Sequence, residues 1–329
     1  MCRNAAGQTG NAIMKKKLKI DFTDFWRGFN KEENIFINML RDFYDVEISS
    51  HPDLLFYSCY SFNYIKYNCL KIFYTAENVR PDFKECDFAL SFDYDDYGGK
   101  NLRLPLYRWR GDLETFTRPK DIDKILEEKK KFCCMLVSNP NGKERNFFFE
   151  KLSKYKKVDS GGSYCNNIGG QKVADKMAFI KDYRFTLSFE NASYPGYTTE
   201  KLVEPMVVNS IPIYWGNSLA GNDFNTKSFV NVHDYAGFDE AIEAIITIDK
   251  NELLYRQYLQ QPYFKNNIFP SNLSFPYLSA QLQQAVEKIM LQPAVANTFT
   301  SRCYSLAKKT RAQMRSALPA LKSILKNKK

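Results

Sequence analysis

From Leu18 onward, short apolar runs alternate with longer stretches whose apolar residues recur at helical spacing. LKIDF, DVEIS, DLLFYS, CLKIFYTAEN and CDFALSFDY are brief, rich in branched and aromatic residues, and predict strands. Between the first two, EENIFINMLRDFY sets Ile35, Ile37, Leu40 and Phe43 on or near one helical face. Strand, helix, strand in that order predicts a parallel, doubly wound sheet. A second series follows. KFCCMLVSN, KKVDSGG, RFTLSFEN, IPIYWGN and SFVNVHDY predict strands. KERNFFFEKLSKY, KMAFIKDY, TTEKLVEPMVVNS, FDEAIEAIITI, NELLYRQYLQQ and SFPYLSAQLQQAVEKIML predict helices. The charged stretch 110–131, RGDLETFTRPKDIDKILEEKKK, has little apolar period and is expected to link the two series. The expected division is an unstructured leader over 1–13, an α/β domain over 14–120, a second over 121–300 and a basic tail over 301–329. Met14, just before three lysines, is a candidate natural start.

Charge alters this picture only at one end. The net charge is +10, but nine Lys and Arg and no acid lie between Arg302 and Lys329, leaving the rest near neutral. A nucleic-acid enzyme spreads basic residues along its working face, so this distribution excludes nucleic acid as the expected partner. In the tail, Met314, Leu318, Leu321 and Leu325 share one helical face flanked by Arg311, Arg315, Lys322 and Lys326, although Pro319 interrupts the pattern. A basic amphipathic helix suits an anionic membrane surface. No stretch holds 18 uninterrupted apolar residues, and Asp21 and Asp24 break any apolar core after Lys15–Lys17, so neither a span nor a signal peptide is expected. The eight cysteines form no CxxC pair and there are two histidines, which argues for free thiols in a reducing compartment over a zinc site. The expected location is the cytoplasm, peripheral on the inner face of its membrane. Aromatic residues make up 15% of the chain; they suit sugar faces and fit an aromatic core equally well.

The richest chemistry lies between Phe185 and Asn217, FTLSFENASYPGYTTEKLVEPMVVNSIPIYWGN. A buried strand delivers Glu190 and Asn191 to its carboxyl end, where ligands of open parallel sheets bind. Thr198 or Thr199 can cap the following helix, whose free amides favour an anion. Lys201 in the first turn is a cation where cations are unfavourable unless an anion intervenes, which points to a bound diphosphate.

FENASYPGYTTEKL, SIPIYWGN and DFNTKSFVNVHDYAGFDEAI closely resemble the bacterial α-1,3/4-fucosyltransferases, as do FYTAENVRPDF, FDYDDYGGKNLRLPLY, SNPNGKERNFFFEKL and VDSGG upstream. The likeness runs from about Phe73 to the helix after Asp239. It implies a GT-B fold, two Rossmann-like domains facing a cleft, and inverting transfer from GDP-fucose to a GlcNAc-containing acceptor such as an N-acetyllactosamine, Lewis-type or lipopolysaccharide O-antigen glycan. By the same resemblance Glu77 matches the general base and Arg145 the diphosphate-contacting arginine, while Asn191, Tyr197, Glu200 and Lys201 match positions that hold the nucleotide. The residue types suit these tasks: a carboxylate can deprotonate a sugar hydroxyl, and cations offset charge on departing GDP.

Asp93, Asp95 and Asp96 have the spacing of a metal-held diphosphate site, but cationic side chains already serve that role, so no metal is expected and Mn²⁺ dependence is not favoured. Before Phe73 the likeness fades to an aromatic loop, FTDFWRGFNKEEN; acceptor choice is expected to depend on it and on the loop around Trp109. The heptad repeats of some relatives are absent. The competing readings are transfer from another nucleotide sugar and a binding protein without turnover, in which Glu77 would have no task.

Overall fold

A computed structural model describes residues 15–109 and 113–326. The expected leader, 1–13, lies outside the described residues. The chain gathers into two compact units: one holds the residues up to Ile72, Phe83–Asp87 and those from Ser279, the other Phe73–Asp82 and Phe88–Leu278. This partition differs from the expected division near 120, because the last helices join the first strands.

The first sheet has the order β2-β1-β3-β4-β5-β6, with β1 Lys16–Thr23, β2 Tyr44–Ile48, β3 Leu54–Tyr57, β4 Leu70–Tyr74, β5 Phe88–Ser91 and β6 Asn101–Arg103. β1 runs parallel to both β2 and β3, with Ile20 level with Ile48 on one side and Leu54 on the other. Leu18, Ile20 and Phe22 alternate into the core, as period-two patterning requires. α1 (Ile35–Leu40) is shorter than the expected 13 residues; Asn34 caps it by accepting from the Phe36 and Ile37 amides. The aromatic loop closes on this core, with Phe25 stacked on Phe29 at 4.1 Å and both against Phe22. Asp24, at φ +60°, turns that loop and accepts from the Asn63 and Tyr64 amides. An Asp tolerates this conformation because its side chain bonds locally.

The second sheet has the order β11-β10-β9-β7-β8, all parallel: β7 Lys131–Met135, β8 Val158–Ser160, β9 Tyr183–Phe189, β10 Ile211–Trp215 and β11 Val230–Asn231. Alternate residues face opposite layers. Cys133, Met135, Phe185, Leu187 and Phe189 join a core with α3 (Lys143–Tyr155), α6 (Phe238–Lys250) and α7 (Glu252–Gln260). Cys134 points the other way, into a cluster with Ile180 of α4 (Lys176–Ile180) and with Tyr183 at the start of β9. α5 (Glu200–Val207) packs Leu202, Val203 and Met206 into a third cluster with Tyr214, Phe224 and Phe264. This is the doubly wound arrangement expected.

Three expectations need correction. The stretch 110–131 is not an open linker: Leu113–Thr117 is 3-10 helical and Ile122–Glu128 is α2, capped by Asp121 and seating Ile125 in the core, while 110–112 lie outside the described residues. SFVNVHDY supplies only the two-residue β11, since 3-10 turns flank it at Thr226–Ser228, capped by Asn225, and at Val232–Asp234. Finally, after α8 (Phe275–Met290), α9 runs from Phe299 to Lys326, helical through Pro319, and its first turns are anchored. Ser301 and Ser305 are buried, Arg302 bonds Asn68 at 2.6 Å, and Lys308 pairs with the buried Glu85, which also accepts from Tyr64 Oη at 2.6 Å. Leu306, Met314 and Leu318 are exposed; the side chains of Leu321, Lys322, Leu325 and Lys326 lie outside the described set. Among the cysteines, Cys86, Cys133 and Cys134 are buried, whereas Cys165 and Cys303 are exposed. No helix among the described residues is long and apolar enough to cross a membrane.

Candidate active site

The loop from Glu190 to Thr199 leaves the carboxyl end of β9 and enters α5. Thr199 caps α5, its Oγ1 accepting from the Lys201 amide. Glu190 is fully buried and accepts from the Thr199 amide at 2.7 Å and from its Oγ1, whose single proton is shared between the carboxylate oxygens at 3.0 and 2.7 Å. Lys201 Nζ lies 3.3 Å from Glu190 Oε2, 3.5 Å from Glu200 Oε1 and 3.1 Å from Thr199 Oγ1. Burial pulls the Lys201 ammonium down, but Glu190 and Glu200 together push it above its ordinary range. Burial raises the Glu190 carboxyl, against the pull of Lys201. A side chain on Gly216 would press its Cβ to 2.4 Å from Glu190 Cγ, so the glycine admits the carboxylate. The anion that excuses a cation at this helix N-terminus is therefore the chain's own Glu190; the sequence argument for a diphosphate from Lys201 alone does not stand.

Asn217 fastens the same loop from β10. Its Oδ1 accepts from the Gly196 and Leu219 amides at 2.7 and 2.9 Å, and its Nδ2 donates to Thr198 Oγ1 at 3.0 Å. Tyr197 is buried against Phe92 at 5.1 Å, Glu200 is half-buried, and Asn191 is exposed.

Arg145 sits in the first turn of α3, 1% exposed. Its Nη2 donates to the Asn139 carbonyl at 2.5 Å, whereas Nε and Nη1 are buried without a hydrogen-bond partner among the described residues. Gly142 makes room, since a Cβ there would meet Cζ at 2.7 Å. Burial lowers the guanidinium from its ordinary range, but an arginine remains charged. A buried cation with unmet donors is a ready anion site.

Glu77 is half-buried, three residues beyond the carboxyl end of β4, in a turn where Thr75 Oγ1 donates to its carbonyl at 2.7 Å. Arg80, on the same loop, lies over the Tyr194 ring at 3.2 Å and the Phe92 ring at 4.3 Å, with Nε 3.2 Å from Asp93. Sequence reasoning missed Arg80, Asn217 and the Arg103–Asp223 ion pair at 2.6 Å; all four residues stand in the quoted runs, within AENVRPDF, WGN, KNLRLPLY and DFNTKS, without a task assigned to them. Asp93, Asp95 and Asp96 do not converge. Asp93 is buried on Arg80 and Tyr97 Oη, Asp95 accepts from the Tyr97 amide and Asp96 from the Gly98 amide. All the site residues belong to the second unit. Among the described residues no group of three His, Cys, Asp or Glu could hold a metal ion.

Two parallel α/β sheets with functional loops at their carboxyl ends are the architecture of the GT-B fold. Anabaena Alr3699/HepE, solved with UDP and glucose, shares the fold at TM-score 0.53 and 8% identity, covering 82% of this chain and 100% of that one. More specifically, the α-(1,3)-fucosyltransferase FucT N-terminal domain matches residues 20–109, and the C-terminal region of glycosyltransferase family 10 (fucosyltransferase) matches 126–313. The chain belongs to glycosyltransferase family 10, the fucosyltransferases. The α-(1,3)-fucosyltransferase FucT of Helicobacter pylori is 33% identical over 256 residues, 67% of this chain and 53% of that protein. Human 4-galactosyl-N-acetylglucosaminide 3-α-L-fucosyltransferase 9 is 33% identical over 135 residues, 40% of this chain and 36% of its own. The chain thus spans about half or less of the length of these curated relatives. A crystal structure of an α1,3-fucosyltransferase with GDP-fucose superposes at TM-score 0.71 and 29% identity, covering 86% of this chain and 94% of that one.

Proposed function

We propose that this chain is an inverting α-1,3(/4)-fucosyltransferase that moves fucose from GDP-fucose to a GlcNAc-containing glycan of N-acetyllactosamine or Lewis type. The observation that carries the reading is membership of family 10 across both parts of the chain, together with the buried, under-bonded Arg145. Arg145 and Lys201 take the diphosphate, while Asn191, Tyr197 and Glu200 hold the nucleoside, Glu200 through ribose hydroxyls. Glu77 accepts the proton of the attacking hydroxyl as the glycosidic bond to GDP breaks. Inversion needs base and leaving group on opposite faces of the sugar. The two cations offset the charge that grows on GDP, so no metal is assigned a role. Incubation with GDP-fucose and N-acetyllactosamine should yield an α-1,3-linked fucose by linkage analysis. Faster transfer from another nucleotide sugar, or GDP-fucose binding without turnover, would replace this reading.

We further propose that the enzyme is cytoplasmic and peripheral on the inner membrane face, through the distal half of α9. Exposed Met314 and Leu318 and the unopposed basic residues support this. Because α9 is anchored through Lys308, the test removes 314–329 rather than all of 302–329. The shortened chain should retain activity on soluble acceptors and lose sedimentation with anionic vesicles at low salt; equal sedimentation of both chains rejects the idea.

A further inference from the structure

We propose that Arg80 is a positioning residue that locks the loop bearing Glu77 to the loop entering α5. This rests on the functional reading above and extends it to a side chain with no assigned task. The guanidinium lies between two rings, 3.2 Å from the Tyr194 centroid and 4.3 Å from that of Phe92. Nε approaches Asp93 Oδ1 at 3.2 Å and Nη2 donates to Asn78 Oδ1 at 3.1 Å. These partners come from the ends of three different strands. Asn78 follows β4 on Arg80's own loop, Phe92 and Asp93 follow β5, and Tyr194 follows β9. One planar cation thus joins the segment that carries the base to the segment that carries Tyr197, Glu200 and Lys201.

The chemistry of each contact explains why an arginine is needed. Stacking on an aromatic face requires a flat, weakly hydrated cation, and lysine does not reproduce it. Asp93 is buried, with Tyr97 Oη also donating to it at 2.8 Å and Arg103 adding a more distant positive charge, so losing Arg80 removes the cation in direct contact with it. Phe92 bears on both sides of the junction, since Tyr197 packs on it at 5.1 Å. Tyr194 is 40% exposed, so its part of the stack can be removed without opening a core. A base must sit within hydrogen-bond reach of the hydroxyl it deprotonates, and a misplacement near 1 Å costs on the order of 10²-fold in rate. The loop entering α5 is held independently by Asn217 and Glu190, so loss of the Arg80 clamp frees chiefly the Glu77 loop and acts on turnover, with donor affinity left largely alone.

The test measures kcat, donor KM and GDP affinity for wild type, Arg80→Lys, Arg80→Ala, Tyr194→Phe and Tyr194→Ala, with hydrogen exchange across 75–82. Arg80→Ala and Tyr194→Ala should each lower kcat, Arg80→Ala by on the order of 10²-fold, with GDP affinity within about threefold of wild type. Arg80→Lys should fall with Arg80→Ala, and Tyr194→Phe, which keeps the ring, should match wild type. Combining Arg80→Ala with Tyr194→Ala should cost no more than Arg80→Ala alone, because both break one clamp. Exchange across 75–82 should quicken in Tyr194→Ala, a readout independent of turnover and of any folding defect at Arg80. Unchanged exchange there, kcat of Arg80→Ala within about threefold of wild type, or GDP affinity falling in step with kcat would overturn the proposal. A wild-type chain without fucosyl transfer would sink the functional reading instead, leaving the exchange result to judge the clamp.

Discussion

Two helix N-termini carry the cations assigned to the leaving group, and they are prepared differently. Arg145, opening α3, is 1% exposed and keeps Nε and Nη1 without a hydrogen bond among the described residues. Lys201, opening α5, is 21% exposed and lies within 3.5 Å of three oxygens, from Glu190, Thr199 and Glu200. Folding has already removed Arg145 from water, so an incoming anion meets donors whose desolvation is complete. In the proposed donor complex Lys201 divides its charge between Glu190, Glu200 and the phosphate, so part of its attraction is offset. A cation in the primary sequence can thus be a preset receptor or half of an internal ion pair, and only its neighbours decide.

The largest expected effect separates this binding from chemistry. Glu77→Gln leaves both cations untouched, and should lower kcat by about 10²–10⁴-fold while GDP titrations match wild type; near-normal kcat would remove Glu77 from the mechanism. Arg145→Ala should weaken the donor complex and slow transfer by about 10²–10³-fold, and Arg145→Lys should recover little, lacking the planar fork. Lys201→Ala should cost less in rate, about tenfold, but should also destabilise the fold. It strands a buried carboxylate, at about 2 kcal/mol, below the 3–5 kcal/mol of a fully buried pair because Lys201 is partly exposed. Adding Glu190→Gln should restore the lost melting temperature without restoring donor affinity; a larger rate loss at Lys201 than at Arg145 would reverse the comparison. The smallest effect concerns metals: EDTA should leave substantial activity. Complete loss, restored by Mn²⁺, would bring Asp93, Asp95 and Asp96 into the site despite their separate partners.

Legibility along the chain followed the range of the forces involved. KERNFFFEKLSKY predicts a helix over 143–155, and α3 has those bounds, because its apolar face and the glycine before it are local signals. β6 escaped notice: three residues, NLR, carry no period, and pairing with β5 makes them a strand. α2 was masked by its charges, although Asp121 is a local cap and Ile125 an inward apolar residue. Within the candidate site, residue types and order were readable; partners were not. Glu190 and Lys201 are separated by a turn-rich loop whose path depends on Asn217 and Gly216, supplied by the next strand.

The sequence by itself determined two parallel α/β series, the near-neutral body with a basic end, the family, and which residue types stand at the strand ends. These follow from short-range periodicity, composition and motif order, which survive without knowledge of distant neighbours. Tertiary structure alone decided that α9 is anchored by Lys308 on Glu85, that Lys201 is paired while Arg145 has unmet donors, and that Arg80 rests between Tyr194 and Phe92. Each of those outcomes turns on desolvation and on charge or ring contacts a few ångströms long, set by how loops and strand ends fold against one another, and no periodic pattern encodes them.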